Sequence, residues 1–220
     1  LELPSLLAPF DGITDNGVGS ELAKALAKSP GAGSLTLTQL ESLMRFYSPE
    51  ARKPAQPLLD TLAAAGKQQR ERLEGLLAHL DGGNAQAGRD IFVNKRAACT
   101  ACHRVGDNGG KIGPDLTKVG DRRSQRDLLE AVLYPSASVG QGYETYVIQT
   151  SGGQTVTGLV TRRTADALFL RTPDQKDIRL ATADIEQMKP SPVSIMPAGL
   201  ENTMTNEQLR DLIAYLRSLK

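Results

Sequence analysis

Residues 97–115 read AACTACHRVGDNGGKIGPD and hold Cys99, Cys102 and His103 within five positions. In a chain of 220 residues these are the only two cysteines, and His103 is one of two histidines. Three chemistries compete for a Cys-x-x-Cys-His run: a redox dithiol, part of a zinc site, and the attachment point of a c-type haem. A thioredoxin-like dithiol needs a strand feeding a helix N-terminus, whose dipole lowers the thiol pKa. Here a helix-like segment precedes Cys99 and no βαβ pattern surrounds it. Structural zinc takes four ligands, and the chain offers only Cys99, Cys102, His103 and the distant His79, a spacing that matches no zinc finger. Haem attachment uses every residue present. Positions i and i+3 of a helical turn project to one side, so both sulfurs can reach the two vinyl groups while His103 sits beneath the iron.

That reading makes two further demands. A proximal histidine donates its second ring N–H to a fixed acceptor, and the Gly-rich loop delivers GPD, whose Pro114 carbonyl is the candidate. A sixth ligand is also needed if the iron only passes electrons, and thioether ligation raises the potential. Four methionines are available. Met44 falls in the apolar pattern of an N-terminal helix and reads as core, Met188 ends a β segment, and Met204 opens the last helix. Met196 lies in a loop bracketed by Pro192 and Pro197 with Gly199 nearby, where stiff backbone can hold a weak sulfur ligand. Met196 is therefore the candidate, with Met188, Met204, His79 and an open position as alternatives.

Working outward, residues 1–83 read as an α-helical region without a site. SELAKALAK starts at Ser20 as an N-cap, and TQLESLMRFY starts with a capping box of Thr38 and Glu41. AQPLLDTLAAAG and KQQRERLEGLLAHLDGG follow. In the second, Leu73, Leu76, Leu77 and Leu80 share one helix face, and Gly82-Gly83 stop it. Asn84 then caps a helix carrying Gly88, Ile91 and Phe92 towards the cysteines. After the polar loop RVGDNGGKIGPDLTKVGDRR, too long to be structureless without a function, Ser124 with Asp127 starts a helix that Pro135 ends.

From 140 to 190 the period changes to that of strands. YETYVIQT, QTVTGLVTRR, ALFLRT and KDIRLAT, separated by short turns, predict a small antiparallel β module with a structural or docking role. The chain closes with a capping box of Thr205 and Gln208 and an apolar stripe of Leu209, Leu212, Ile213 and Leu216, with Tyr215 on its shoulder. The expected organisation is thus an N-terminal region over 1–83, a first haem segment over 84–139, an inserted β module over 140–190, and a second haem segment over 191–220. The fold class is mainly α with a small β insertion.

Composition narrows the partners. Lys plus Arg number 26 against 25 Asp plus Glu, so a net charge of +1 gives no preference for nucleic acid or membrane surfaces. No apolar run approaches the ~20 residues that span a bilayer. LELPSLLAPF lacks a basic n-region and a long apolar core, so the chain reads as a mature protein or an excised fragment. Aromatic residues make up only 4%, compatible with a cofactor filling core volume or with an Ala/Leu-rich helical core.

From about residue 84 onward the chain resembles class I cytochromes c, and in detail a haem-binding domain of planctomycete and verrucomicrobial bacteria. The motifs that carry the likeness are AGRDIF, CTACHRVG, IGPDLTKVGDRRS, LLEAVLYPSASV, SIMPAGLENTMT and LRDLIAYLRSL. The resemblance implies a cytochrome c-like helical fold around covalent haem c, with thioether bonds at Cys99 and Cys102 and axial His103 and Met196. It implies a crossing of first and last helices at Gly88, Phe92 and Tyr215, and a propionate partner in Arg122 or Arg123. It further implies an extracytoplasmic location and a tail-end position in larger proteins. The expected function is one-electron transfer from a fused or partner dehydrogenase to a cytochrome or respiratory acceptor, not catalysis. A haem sensor with a displaceable sixth ligand is the alternative, and a haem enzyme ranks last because no distal His or Arg constellation accompanies Met196.

Overall fold

The computed structural model describes residues 3, 7–94, 97–174, 176–191 and 193–220. The chain divides into two compact units, Leu1–Arg72 and Leu73–Lys220. The division falls inside a helix rather than at Gly82-Gly83, because Leu73 and Leu80 are buried with the second unit's core.

The first unit is helical: α1 spans Asn16–Lys28, α2 Leu37–Met44, α3 Pro49–Arg52, and α4 starts at Gln56 and runs to Leu77. Two helix starts differ from expectation. Asp15, not Ser20, caps α1, its carboxylate accepting from the Val18 N–H at 2.9 Å. The longer helix brings Gly19 against the Tyr47 ring, where a Cβ would sit 2.4 Å from the nearest ring carbon. Thr36 with Gln39, not Thr38 with Glu41, forms the capping box of α2, leaving Leu40, Leu43 and Met44 to fill the core. Met44 is core, as its pattern indicated. The two segments on either side of Gly66 form one continuous α4; a mid-helix glycine costs about 1 kcal/mol against Ala and does not end it.

In the second unit, α5 (Ala85–Val93) follows its Asn84 cap, and α6 (Cys99–Cys102), α7 (Val119–Arg122), α8 (Gln125–Leu133) and α9 (Asn206–Ser218) complete the helical frame. The frame is organised by the crossing of α5 with α9. A Cβ on Gly88 would lie 1.9 Å from the Asp211 carbonyl oxygen, so only glycine allows this approach. The Phe92 and Tyr215 rings meet beside it at 5.5 Å, tilted by 57°, and the Asn84 N–H donates to the Asp211 carboxylate at 2.8 Å. Leu128, Leu129 and Val132 of α8 close the core against Leu212 and Ile213 of α9.

The β content exceeds a small insertion. The loop after His103 forms a hairpin of β1 (Arg104–Val105) and β2 (Asn108–Gly109). The module itself has five antiparallel strands: β3 (Thr145–Thr150), β4 (Thr155–Arg163), β5 (Ala167–Arg171), β6 (Asp177–Ala181) and β7 (Ile185–Pro190). Strand β7 was not among the four quoted runs, although a β segment reaching Met188 was expected; IEQMKP lacks the β-branched alternation of the other four. It is held by pairing with β3, giving the order β6-β5-β4-β3-β7. The outer strands β6 and β7 are joined by the 3-10 turn Thr182–Asp184. At about 2 Å per residue that turn cannot cover the roughly 19 Å between the edges of a flat five-stranded sheet. The sheet must therefore curl, and register shifts at Gln149/Thr150 and Val160/Arg162 supply the bends. Inside the curl Ile148, Leu168 and Leu170 pack with Val160, Leu180 and Met188.

Candidate functional site

Cys99–Cys102 form a single helical turn entered through Ala98, whose φ of 49° is left-handed. That conformation costs a non-glycine residue roughly 1–2 kcal/mol. Backbone bonds on both sides offset it: the Ala98 N–H donates to Asn94 O at 2.8 Å, and the Ala101 N–H to Ala98 O at 2.9 Å. The chain leaves through the β1–β2 hairpin and returns under the turn, with the Gly110 N–H donating to Thr100 O at 2.8 Å and the Gly113 N–H to Cys102 O at 2.9 Å.

This return brings the Pro114 carbonyl oxygen within 2.9 Å of His103 Nδ1. A carbonyl can only accept, so Nδ1 carries the ring proton and Nε2 keeps a free lone pair. Gly113 is the residue that lets the loop pass, since a Cβ there would lie 2.5 Å from His103 Cε1. Asp115 fastens the next position. One oxygen accepts from Arg104 at 2.6 and 3.0 Å, and the other from the Thr117 hydroxyl and N–H. Those bonds, from Thr117 first and Arg104 next, hold the Asp115 carboxyl well below the usual carboxylate range.

Both thiols and His103 line one cavity of about 410 Å³. Burial pushes the Cys99 thiol up to about 11 and also raises Cys102, so neither is the activated thiolate of a redox dithiol. Burial likewise lowers the His103 pKa, partly opposed by the bond to Pro114, which keeps the ring neutral and able to coordinate. Among the described residues, no three His, Cys, Asp or Glu side chains gather to hold a metal ion by themselves.

Helix α8 builds the next wall. Asp127, Leu128, Ala131 and Tyr134 recur at helical spacing along the cavity, a 3.6-residue periodicity that was present in the sequence and not read as a site. Arg123 also lines it, and Arg122 does not. Across from His103 in the chain's order come Ile195, Met196 and Pro197. Met196 is half-buried and is the one methionine that lines this cavity. Met188 packs inside the curled sheet with its sulfur 3.7 Å from an Arg163 nitrogen, Met204 packs against the helical core, and His79 is exposed. Pro192, expected to stiffen the Met196 loop, lies outside the described residues.

The donor set fits a haem: two thiols one turn apart, an oriented neutral imidazole, a thioether on the same cavity, and mainly carbon walls. A comparison with known families finds a likeness of the same kind. Residues 85–169 match the family model for cytochrome c. Domains of that family bind covalently attached haem c and serve haem-based electron transfer. Cys99, Cys102, His103 and Pro114 lie within the matched span, whereas Met196 and α9 lie beyond it. The match does not favour the haem-sensor alternative. No curated protein matches the chain. Among the described residues no helix is long and apolar enough to cross a membrane.

Proposed function

We propose that residues 73–220 form a single-haem, one-electron carrier with His103 and Met196 as axial ligands and with Cys99 and Cys102 as attachment points. Cys99 and Cys102 would hold the haem through thioether links, each S–H adding across one vinyl double bond so that no outside oxidant would be needed. The bound haem supplies an iron that cycles between ferric and ferrous states.

The protein's own part is positioning. His103 presents Nε2 because Pro114 O holds the Nδ1 proton, and that second bond also raises the ring's strength as a ligand. Leu128, Ala131, Tyr134 and Ile195 exclude water from the cavity, which keeps the charge change in a low dielectric. Arg123 is the propionate partner of choice, as the arginine that faces the cavity. The observation that carries the reading is the 2.9 Å contact from His103 Nδ1 to Pro114 O on a cavity that also receives both thiols and Met196.

The motifs around the site support assignment to the planctomycete and verrucomicrobial type of haem-binding domain. They also support extracytoplasmic maturation and a dehydrogenase, fused or separate, as electron donor. The test is optical: the parent holoprotein shows a low-spin spectrum with an iron–sulfur charge-transfer band, and Met196→Ala loses that band while keeping its haem. Retention of the band by Met196→Ala contradicts the ligand assignment.

A further inference from the structure

We propose that the β module is a clamp for the Met196 loop and that Thr145, the first residue of β3, is its positioning residue; the proposal rests on Met196 being the sixth ligand. The module begins and ends beside that loop. Strand β7 is zipped onto β3 up to the pair Tyr146 and Pro190, and the Ser191 N–H extends the ladder by donating to Thr145 O at 2.8 Å. The Thr145 hydroxyl then donates to Val193 O. Thr145 is only 2% exposed, so its hydroxyl is held at this bond, and losing it takes away the donor that ties the Val193 carbonyl to the sheet.

From Val193 the restraint passes on towards the sulfur. The Ser194 N–H donates to Ser136 Oγ at 3.1 Å, and the Met196 N–H donates to Ser194 Oγ at 3.2 Å. Ser136 belongs to the segment just after α8, so the loop is held from the sheet on one side and from the cavity-lining helix on the other. A thioether is a weak ligand, and its hold on iron depends on the loop staying where it is. The module therefore has a task in haem ligation although, of its five strands, none contributes a side chain to the cavity wall.

The test uses carbon monoxide on the ferrous holoprotein at neutral pH, where uptake requires the sulfur to leave. Thr145→Val keeps the side-chain shape and removes the hydroxyl, and is expected to take up carbon monoxide about five- to tenfold faster than the parent, the factor for one lost hydrogen bond. Thr145→Ser restores the hydroxyl and is expected to restore the slow rate. Ser136→Ala, at an exposed position that leaves folding intact, is expected to give a smaller acceleration, and it carries the test alone should Thr145→Val not fold. Parent-like rates in Thr145→Val, or in Ser136→Ala where it stands alone, overturn the clamp, as does a Thr145→Ser protein that behaves like the valine variant. Met196→Ala separates the two claims. If it loses the charge-transfer band while Thr145→Val matches the parent, only the clamp fails. If it keeps the band, the ligand assignment fails and the clamp with it.

Discussion

The two sides of the haem cavity are built in different ways. The His103 side is local: Cys99, Cys102, His103, Gly113, Pro114 and Asp115 all fall within residues 99–115, and one hairpin folds them together. The Met196 side is assembled at a distance, from a loop fastened to Thr145 and Ser136 by bonds that span about fifty positions of chain. Local construction makes geometry depend on a few neighbouring residues, whereas distant construction makes geometry conditional on the sheet and on α8. A strong, permanent ligand needs the first kind. A ligand whose hold is to be adjustable can be left to the second.

Variants can break this contrast at successive levels. The largest effect is expected where both sides share a foundation. Phe92→Ala at the α5–α9 crossing removes a fully buried ring and is expected to cost about 3–5 kcal/mol, lowering the melting temperature of the whole second unit and, on the proposed ligation, weakening the hold of His103 and Met196 together. Gly113→Ala attacks the His103 side alone. Its Cβ meets the imidazole at 2.5 Å, and overpacking of about 1–3 kcal/mol is expected to disturb the proximal ligand, read as a shifted Soret band and a changed histidine signature in resonance Raman spectra. Gly199→Ala attacks the Met196 side alone. Gly199 has φ +83°, and a side chain there costs roughly 1–2 kcal/mol. The expected result is a weaker iron–sulfur band with the Soret position unchanged.

The smallest effect concerns pH. The Asp115 carboxyl is held below its ordinary range by Thr117 and Arg104, so its folded-state pKa is depressed. The stability it adds is fully present above the unfolded value of about 3.9 and is lost as pH falls through the folded value. In acid titrations the parent is therefore expected to melt higher than Asp115→Asn at pH 7, with the gap closing as pH drops below about 4. A gap that persists into strong acid contradicts the role given to the carboxylate.

The contrast also explains what the sequence disclosed. The geometry of the His103 side was legible because it is encoded in spacing: Cys-x-x-Cys-His sets the turn, and GPD sets the acceptor. The crossing helices were legible through Asn84, Thr205 and Gln208 and their apolar stripes, which are local signals as well. Helix starts in the first unit were off by a few residues because neighbouring side chains offered equally good caps, and burial of Tyr47 and Leu40 decided between them. Strand β7 was expected only as a β segment ending at Met188, because IEQMKP has little strand pattern of its own and gains its full length by pairing with β3. Thr145, Ser136 and Ser194 carried no signal at all, since a hydroxyl that bonds a distant backbone looks like any other surface threonine or serine in one dimension. Met196 was singled out by its proline-flanked loop, although hydrogen bonds to that loop are what the described residues display.

The central claim is that Cys99 and Cys102 both bond one haem above His103. Intact mass spectrometry on chain matured with a c-type haem attachment system, paired with an alkaline pyridine spectrum of the same sample, tests it most directly. The expected result is the polypeptide mass plus one haem and the spectrum of a haem with both vinyl groups saturated. A colourless chain at the bare polypeptide mass contradicts it.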